Sequence, residues 1–148
     1  MYIWIICWVL LFSLASWIDL KSFILPDWIT LPLMLSGLIF NTWTVNQFCS
    51  TFESLLGIVL GYGLIRLVDA LYLKIKKQNG IGQGDAKLLA AIGAILGWQA
   101  IFTILFFAAI SGLVVCLIMI KMKRLTFQNP IPFGPFLSLY ACLFIVGI

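Results

Sequence analysis

Residues 84–120 read GDAKLLAAIGAILGWQAIFTILFFAAISGLVVCLIMI, an acid on a glycine followed by an apolar run with few polar interruptions. As one straight helix the 35 residues from 86 to 120 would rise about 52 Å, against about 30 Å for the hydrocarbon core of a bilayer. The run must therefore bend. A break at Gly97-Trp98-Gln99 divides it into a short apolar helix and a full-length one. The rest of the chain is of the same kind: 148 residues, 64% hydrophobic and 9% charged, cannot present the polar exterior of a soluble globule.

The expectation is an all-α integral membrane protein, one membrane-embedded domain over 1–148 with about six transmembrane helices and the lipid bilayer as its first partner. Residues 2–18 form the first span. They resemble a signal peptide in length but lack a basic leading region and end in Asp19 rather than in small residues before a cleavage site. Residues 28–43 form the second, with Pro32 tolerated in its first turns, and a polar stretch from 44 to 53 ends it. Residues 54–73 form the third, where Gly57, Gly61 and Gly63 let neighbouring helices approach. The bent run supplies the fourth and fifth. Residues 133–148 are the sixth, entered through Pro130, Pro132 and Pro135.

Basic residues set the orientation. Lys21 follows the first span, Lys74, Lys76 and Lys77 the third, and Lys121, Lys123 and Arg124 the fifth, whereas the alternate connections contain no Lys or Arg. Cytoplasmic loops carry that excess, so both termini are expected on the non-cytoplasmic side. Topology also accounts for the net charge of +4, and no nucleic-acid role is expected.

Against this background two acids stand out. A carboxylate at the centre of a membrane helix costs roughly 2.5–3.5 kcal/mol on an insertion scale, and less near the interface. Asp19 ends the first span and Asp85 begins the fourth, which places both near the cytoplasmic boundary. If those helices are neighbours the carboxyls converge, and two like charges at close range share one proton. The ionised partner can then draw a proton from water while the protonated one polarises a carbonyl. The chain has no histidine, which removes Ser/His and Cys/His pairs and HExxH metal sites. Cys7, Cys49, Cys116 and Cys142 form no CxxC pair and read as small apolar fillers. No metal and no cofactor are expected. Lys21 and Ser22 are adjacent on a short loop, a poor geometry for a Ser/Lys dyad.

Gly80, Gly82 and Gly84, ahead of Asp85, permit backbone angles closed to other residues and let a second chain come close; the bland reading is a flexible loop before a helix. Asp69 lies three residues after Arg66, a spacing that suits a local ion pair. From a different class, the acids and Lys87 would suit a small proton or ion transporter, and a non-proteolytic assembly factor is a further alternative. Asp-to-Asn changes separate these readings, because only a protease loses cleavage while staying folded.

Three segments together resemble the type IV prepilin peptidases, bacterial membrane aspartyl proteases with a GxGD element. They are Ile18-Asp19-Leu20 through Leu25-Pro26-Asp27-Trp28-Ile29-Thr30-Leu31-Pro32 to Asn41, then Gly82-Gln83-Gly84-Asp85-Ala86-Lys87 to Gly97-Trp98-Gln99, and Pro130-Ile131-Pro132-Phe133-Gly134-Pro135-Phe136. The resemblance implies cleavage at the cytoplasmic side of the bacterial inner membrane, after the glycine that ends the short basic leader of a type IV prepilin or type II secretion pseudopilin. Pilus or secretion machinery would be further partners. It places the catalytic pair at Asp19 and Asp85, with Gly82 and Gly84 as the supporting loop. Asp27 shares the first loop and is the rival for the first role, although an acid after Pro26 also suits a helix start. Lys87 matches the family's lysine two residues after the catalytic aspartate, where it would bias the dyad or bind a substrate carbonyl; the bland reading is a lysine snorkelling to the interface. Long members of the family carry an N-terminal domain with paired CxxC motifs, associated with zinc and with methylation of the new pilin N-terminus. This chain resembles the short peptidase-only members, so cleavage without methyl transfer is expected. Presenilin-type proteases share GxGD but also use a Tyr-Asp pair and a Pro-Ala-Leu segment, and neither occurs here.

Overall fold

A computed structural model of the chain describes residues 2–22, 25–45, 47–76, 83–122 and 132–147. Those residues form six helices: α1 (Tyr2–Ser22), α2 (Asp27–Trp43), α3 (Thr51–Lys76), α4 (Gln83–Leu96), α5 (Trp98–Lys121) and α6 (Gly134–Val146). The all-α expectation holds, with the helices in the expected order. Helices α1, α3 and α5 are long and apolar enough to cross a membrane. Helices α2, α4 and α6 have 17, 14 and 13 residues, so each rises less than about 30 Å.

The bend in the long apolar run falls where the spacing predicts it. Helix α4 ends at Leu96, and Gly97 adopts a φ of 83°, in the left-handed region, before α5 starts at Trp98. A side chain there would be strained by the backbone and would also meet Cβ of Cys49 at 3.1 Å. Helix α3 starts at Thr51, three residues earlier than expected. Ser50 and Glu53 form a capping box: Glu53 Oε2 accepts from the Ser50 amide at 2.8 Å, and Ser50 Oγ accepts from the Glu53 amide at 3.2 Å. The stretch read as a polar connection up to Glu53 thus contains the first turn of a helix.

Helix α4 is the centre of the fold. From Leu88 to Ile95 every residue is buried, and α2, α3, α5 and α6 all pack on it. Glycine makes this possible. A Cβ on Gly57 of α3 would lie 2.2 Å from the carbonyl oxygen of Gly93, one on Gly61 would lie 2.7 Å from that of Leu89, and one on Gly37 of α2 would meet Ile95 Cγ1 at 2.6 Å. Backbone therefore rests on backbone where α3 crosses α4, as small residues allow in helix pairs without a hydrophobic driving force. Gly63 departs from the expectation: a Cβ there would meet nothing within 4 Å, because it lies on an exposed face of α3.

At the end of the bundle where α4 turns into α5, its last carbonyls are satisfied by other helices. Asn41 of α2 donates through Nδ2 to the carbonyls of Ala94 at 3.0 Å and Ile95 at 2.9 Å, and its Oδ1 accepts from the Phe48 amide at 3.1 Å. Ser54 Oγ of α3 donates to the Ala94 carbonyl as well. Cys49 joins this cluster, 3.2 Å from Asn41 Nδ2, so it is more than an apolar filler. Burial and the nearby Glu53 push its thiol up to about 11, so it stays protonated at neutral pH. On the same side, Trp8 of α1 donates to Ser36 Oγ of α2 at 2.9 Å. Asp85 lies at the opposite end of α4, in its first turn.

Candidate active site

Asp19 stands on the buried stripe of α1, which runs Trp8, Phe12, Ala15, Asp19 at helical spacing. It lies within the last turn of the helix rather than at its end, because α1 continues to Ser22. Asp85 is in the first turn of α4 and is half-buried. The two carboxyls interact electrostatically, Asp19 acting on Asp85 as a like charge. Asp19 and Asp85 thus lie within electrostatic reach of each other.

The sequence makes convergence conditional on the first and fourth helices being neighbours, and among the described residues no Cα of α1 comes within 8 Å of a Cα of α4. Helices α2 and α6 each pack on both of them.

Each of these two helices makes its contact through its own start. At the start of α6 the amide of Gly134 donates to Asp19 Oδ2 at 3.0 Å, a bond buried on both sides. At the start of α2, Asp27 Oδ1 pairs with Lys87 Nζ of α4, and Leu25, just before α2, packs so closely on Gly84 that a Cβ on that glycine would lie 2.6 Å from Leu25 Cβ. Gly84 is needed for this approach of Leu25, a segment of the same chain. Gly80 and Gly82 lie outside the described residues, as do Pro130 and Ile131.

Asp27 and Lys87 are both more exposed than Asp19. The Asp27 side chain retains 57% of its accessible surface and that of Lys87 29%, whereas Asp19 is 5% exposed. Asp27 joins α2 to α4 and Lys87 answers it, so neither ion is left to act alone. Arg66 Nη1 lies 3.7 Å from Asp69 Oδ2 on α3, the local pair that the spacing suggests. Among the described residues no group of three or more His, Cys, Asp or Glu side chains is arranged to hold a metal ion.

Sequence reasoning missed the role of the Gly134 amide. The segment Phe133-Gly134-Pro135 was noted as part of a resemblance, but a main-chain donor has no side chain to announce it. The one available signal is a glycine directly before a proline at a helix start. The Asp27–Lys87 pair links residues 60 apart and has no local signature at all.

The starts of α2, α4 and α6 thus gather at the end of the bundle where α1 ends. The chain belongs to the type IV leader peptidase family, whose model matches residues 4–117 and so includes both aspartates. It is 41% identical over 123 residues to a prepilin leader peptidase/N-methyltransferase of Burkholderia pseudomallei (strain 1026b), covering 83% of this chain and 39% of that protein. Proteins of the same description from Dickeya chrysanthemi, 35% identical over 96% of this chain and 49% of theirs, and from Aeromonas hydrophila, 36% identical over 91% and 45%, are similar as well. The chain thus spans less than half the length of these curated relatives. No solved structure matches it.

Proposed function

We propose that this chain is a membrane aspartic endopeptidase that removes the short basic leader from type IV prepilins or type II secretion pseudopilins, cutting after a glycine. The observation that carries this reading is that Asp19 and Asp85 lie within electrostatic reach of each other in a member of the leader peptidase family. In the proposed reaction the ionised carboxyl of the pair takes a proton from water as the water oxygen attacks the scissile carbonyl carbon. The protonated partner gives its proton to the carbonyl oxygen. The resulting tetrahedral diol collapses: its C–N bond breaks, the carboxyl that took the water proton delivers it to the leaving amine, and a diol hydroxyl returns its proton to the partner carboxylate. Atoms balance as peptide plus water giving an acid and an amine.

Residues 1–148 act in this reading as one membrane-embedded domain with six spans and both termini on the non-cytoplasmic side of a bacterial inner membrane. The dyad then faces the cytoplasm. Lys21, Lys74 and Lys121 support this orientation, since each follows or ends a helix that runs toward the dyad's end of the bundle. Substrate basic residues would be drawn to the acidic centre, and the apolar pilin helix would lie in the bilayer beside the bundle. Methyl transfer, which the relatives' names include, is assigned to none of these residues, and no cysteine here forms a CxxC pair.

The test is cleavage in membranes co-expressing a prepilin whose leader ends in glycine with wild type, Asp19→Asn or Asp85→Asn, the product N-terminus being read by mass. The expected result is an unmethylated product cut after that glycine with wild type and intact precursor with either variant. Cleavage by a variant as efficient as wild type would remove its aspartate from the dyad, and a methylated product would overturn the assignment of cleavage alone.

A further inference from the structure

Asp19 makes one side-chain hydrogen bond among the described residues, and its partner is a backbone amide of α6, a helix that carries no charged residue. The first amides of a helix have no acceptor within it. In the first turn of α6 the amides of Phe136 and Leu137 bond back to the Phe133 carbonyl at 3.1 and 3.3 Å, and Pro135 has no N–H to offer. Gly134 therefore presents the single amide of that turn that is available to a carboxylate.

The absence of a side chain at Gly134 serves the same contact. Its φ lies outside the left-handed region, so the backbone does not demand glycine. A Cβ there would lie 2.6 Å from Asp19 Oδ2 and 3.0 Å from Cγ, and the carboxyl would have to swing away. Because α1 and α4 do not pack on each other, no direct helix contact fixes Asp19 relative to Asp85.

We propose that Gly134-Pro135 at the start of α6 is the positioning element of the dyad: the Gly134 amide holds Oδ2 of Asp19, and Pro135 withholds a second donor so that Oδ1 is left for the attacking water and the Asp85 carboxyl. This rests on the reading of Asp19 and Asp85 as the catalytic pair. Gly134 acts through Asp19 and need not touch substrate. A displacement of the carboxyl by about 1 Å is enough to cost on the order of a hundredfold in rate.

Gly134→Ala tests this against wild type, with Gly63→Ala as a control at a position where a Cβ meets nothing. The expected result for Gly134→Ala is a folded enzyme with kcat reduced at least about tenfold, KM within about twofold of wild type, and a displaced pH optimum, while Gly63→Ala is unchanged. Wild-type kcat in folded Gly134→Ala, or a loss confined to KM, overturns the inference alone. Failure of the wild type to cut any leader removes the peptidase reading and this inference with it. Should Gly134→Ala not fold, amide hydrogen exchange of Asp19→Leu against wild type decides. Exchange at Gly134 faster by about tenfold or more, with Leu137 unaltered, supports the hydrogen bond, and equal rates at Gly134 overturn it.

Discussion

Lys87 Nζ pairs with Oδ1 of Asp27, so the lysine two residues beyond Asp85 is directed to the first turn of α2. Asp27 thus has Lys87 as its ion-pair partner. Asp27→Asn is expected to retain leader cleavage where Asp19→Asn does not, in a side-by-side assay of product formation. Because both partners are partly exposed, a double-mutant cycle with Lys87→Met should give a coupling of at most about 1 kcal/mol, fading at 1 M salt as screening shortens to about 3 Å.

Gly57 and Gly93 face each other with no room for a methyl group on either. Gly57→Ala and Gly93→Ala should each destabilise the protein by about 1–3 kcal/mol or more, because backbone cannot yield as a flexible side chain does. Thermal unfolding in detergent checks this, with Gly63→Ala expected within about 0.5 kcal/mol of wild type. Equal unfolding temperatures for all three variants would contradict the crossing.

Asn41 satisfies two carbonyls at the end of α4 and accepts the Phe48 amide. Asn41→Leu should leave buried groups unpaired at about 1–3 kcal/mol each, offset in part because Ser54 still reaches the Ala94 carbonyl. A marked drop in unfolding temperature is expected. The catalytic rate of the surviving folded fraction should stay close to that of wild type, since Asn41 belongs to the opposite end of α4 from Asp85.

Thr30 Oγ1 is fully buried and has no hydrogen-bond partner among the described residues. Thr30→Val removes an unpaired hydroxyl while keeping the shape of the side chain, and such a change is neutral to stabilising. Unfolding temperature should hold or rise. A fall would mean that the hydroxyl has a partner.

Two carboxyls that share a proton titrate as a pair. The plot of wild-type kcat/KM against pH should therefore be a bell. Since the proposed water is activated by carboxylate alone, millimolar chelator should leave the rate unchanged. A sigmoidal profile, or inactivation by chelator restored with metal, would contradict the dyad.

Much of this protein is legible in its sequence because lipid imposes simple rules on it. Apolar length, the 35-residue run too long for one helix, and the glycine at its break locate all six helices to within a few residues. The capping box at Ser50 and Glu53 was equally legible as an S-x-x-E pattern, though composition alone had passed it over as a polar connection. Asp19 and Asp85 were visible because ionised groups are scarce among apolar residues.

What the sequence by itself determined was the helical class, the order of the helices and the identity of the two exceptional acids, since each follows from the cost of exposing polar groups to hydrocarbon. Tertiary structure alone decided which face of each helix is buried. When the lipid-facing side of α1 is as apolar as its core side, periodicity carries no message, and only packing shows that Asp19 continues the stripe from Trp8. It also decided that α1 and α4 stay apart, that Lys87 goes to Asp27, and that a main-chain amide at Gly134 holds Asp19. These contacts join residues distant in the chain, and one of them comes from a group that every residue but proline possesses.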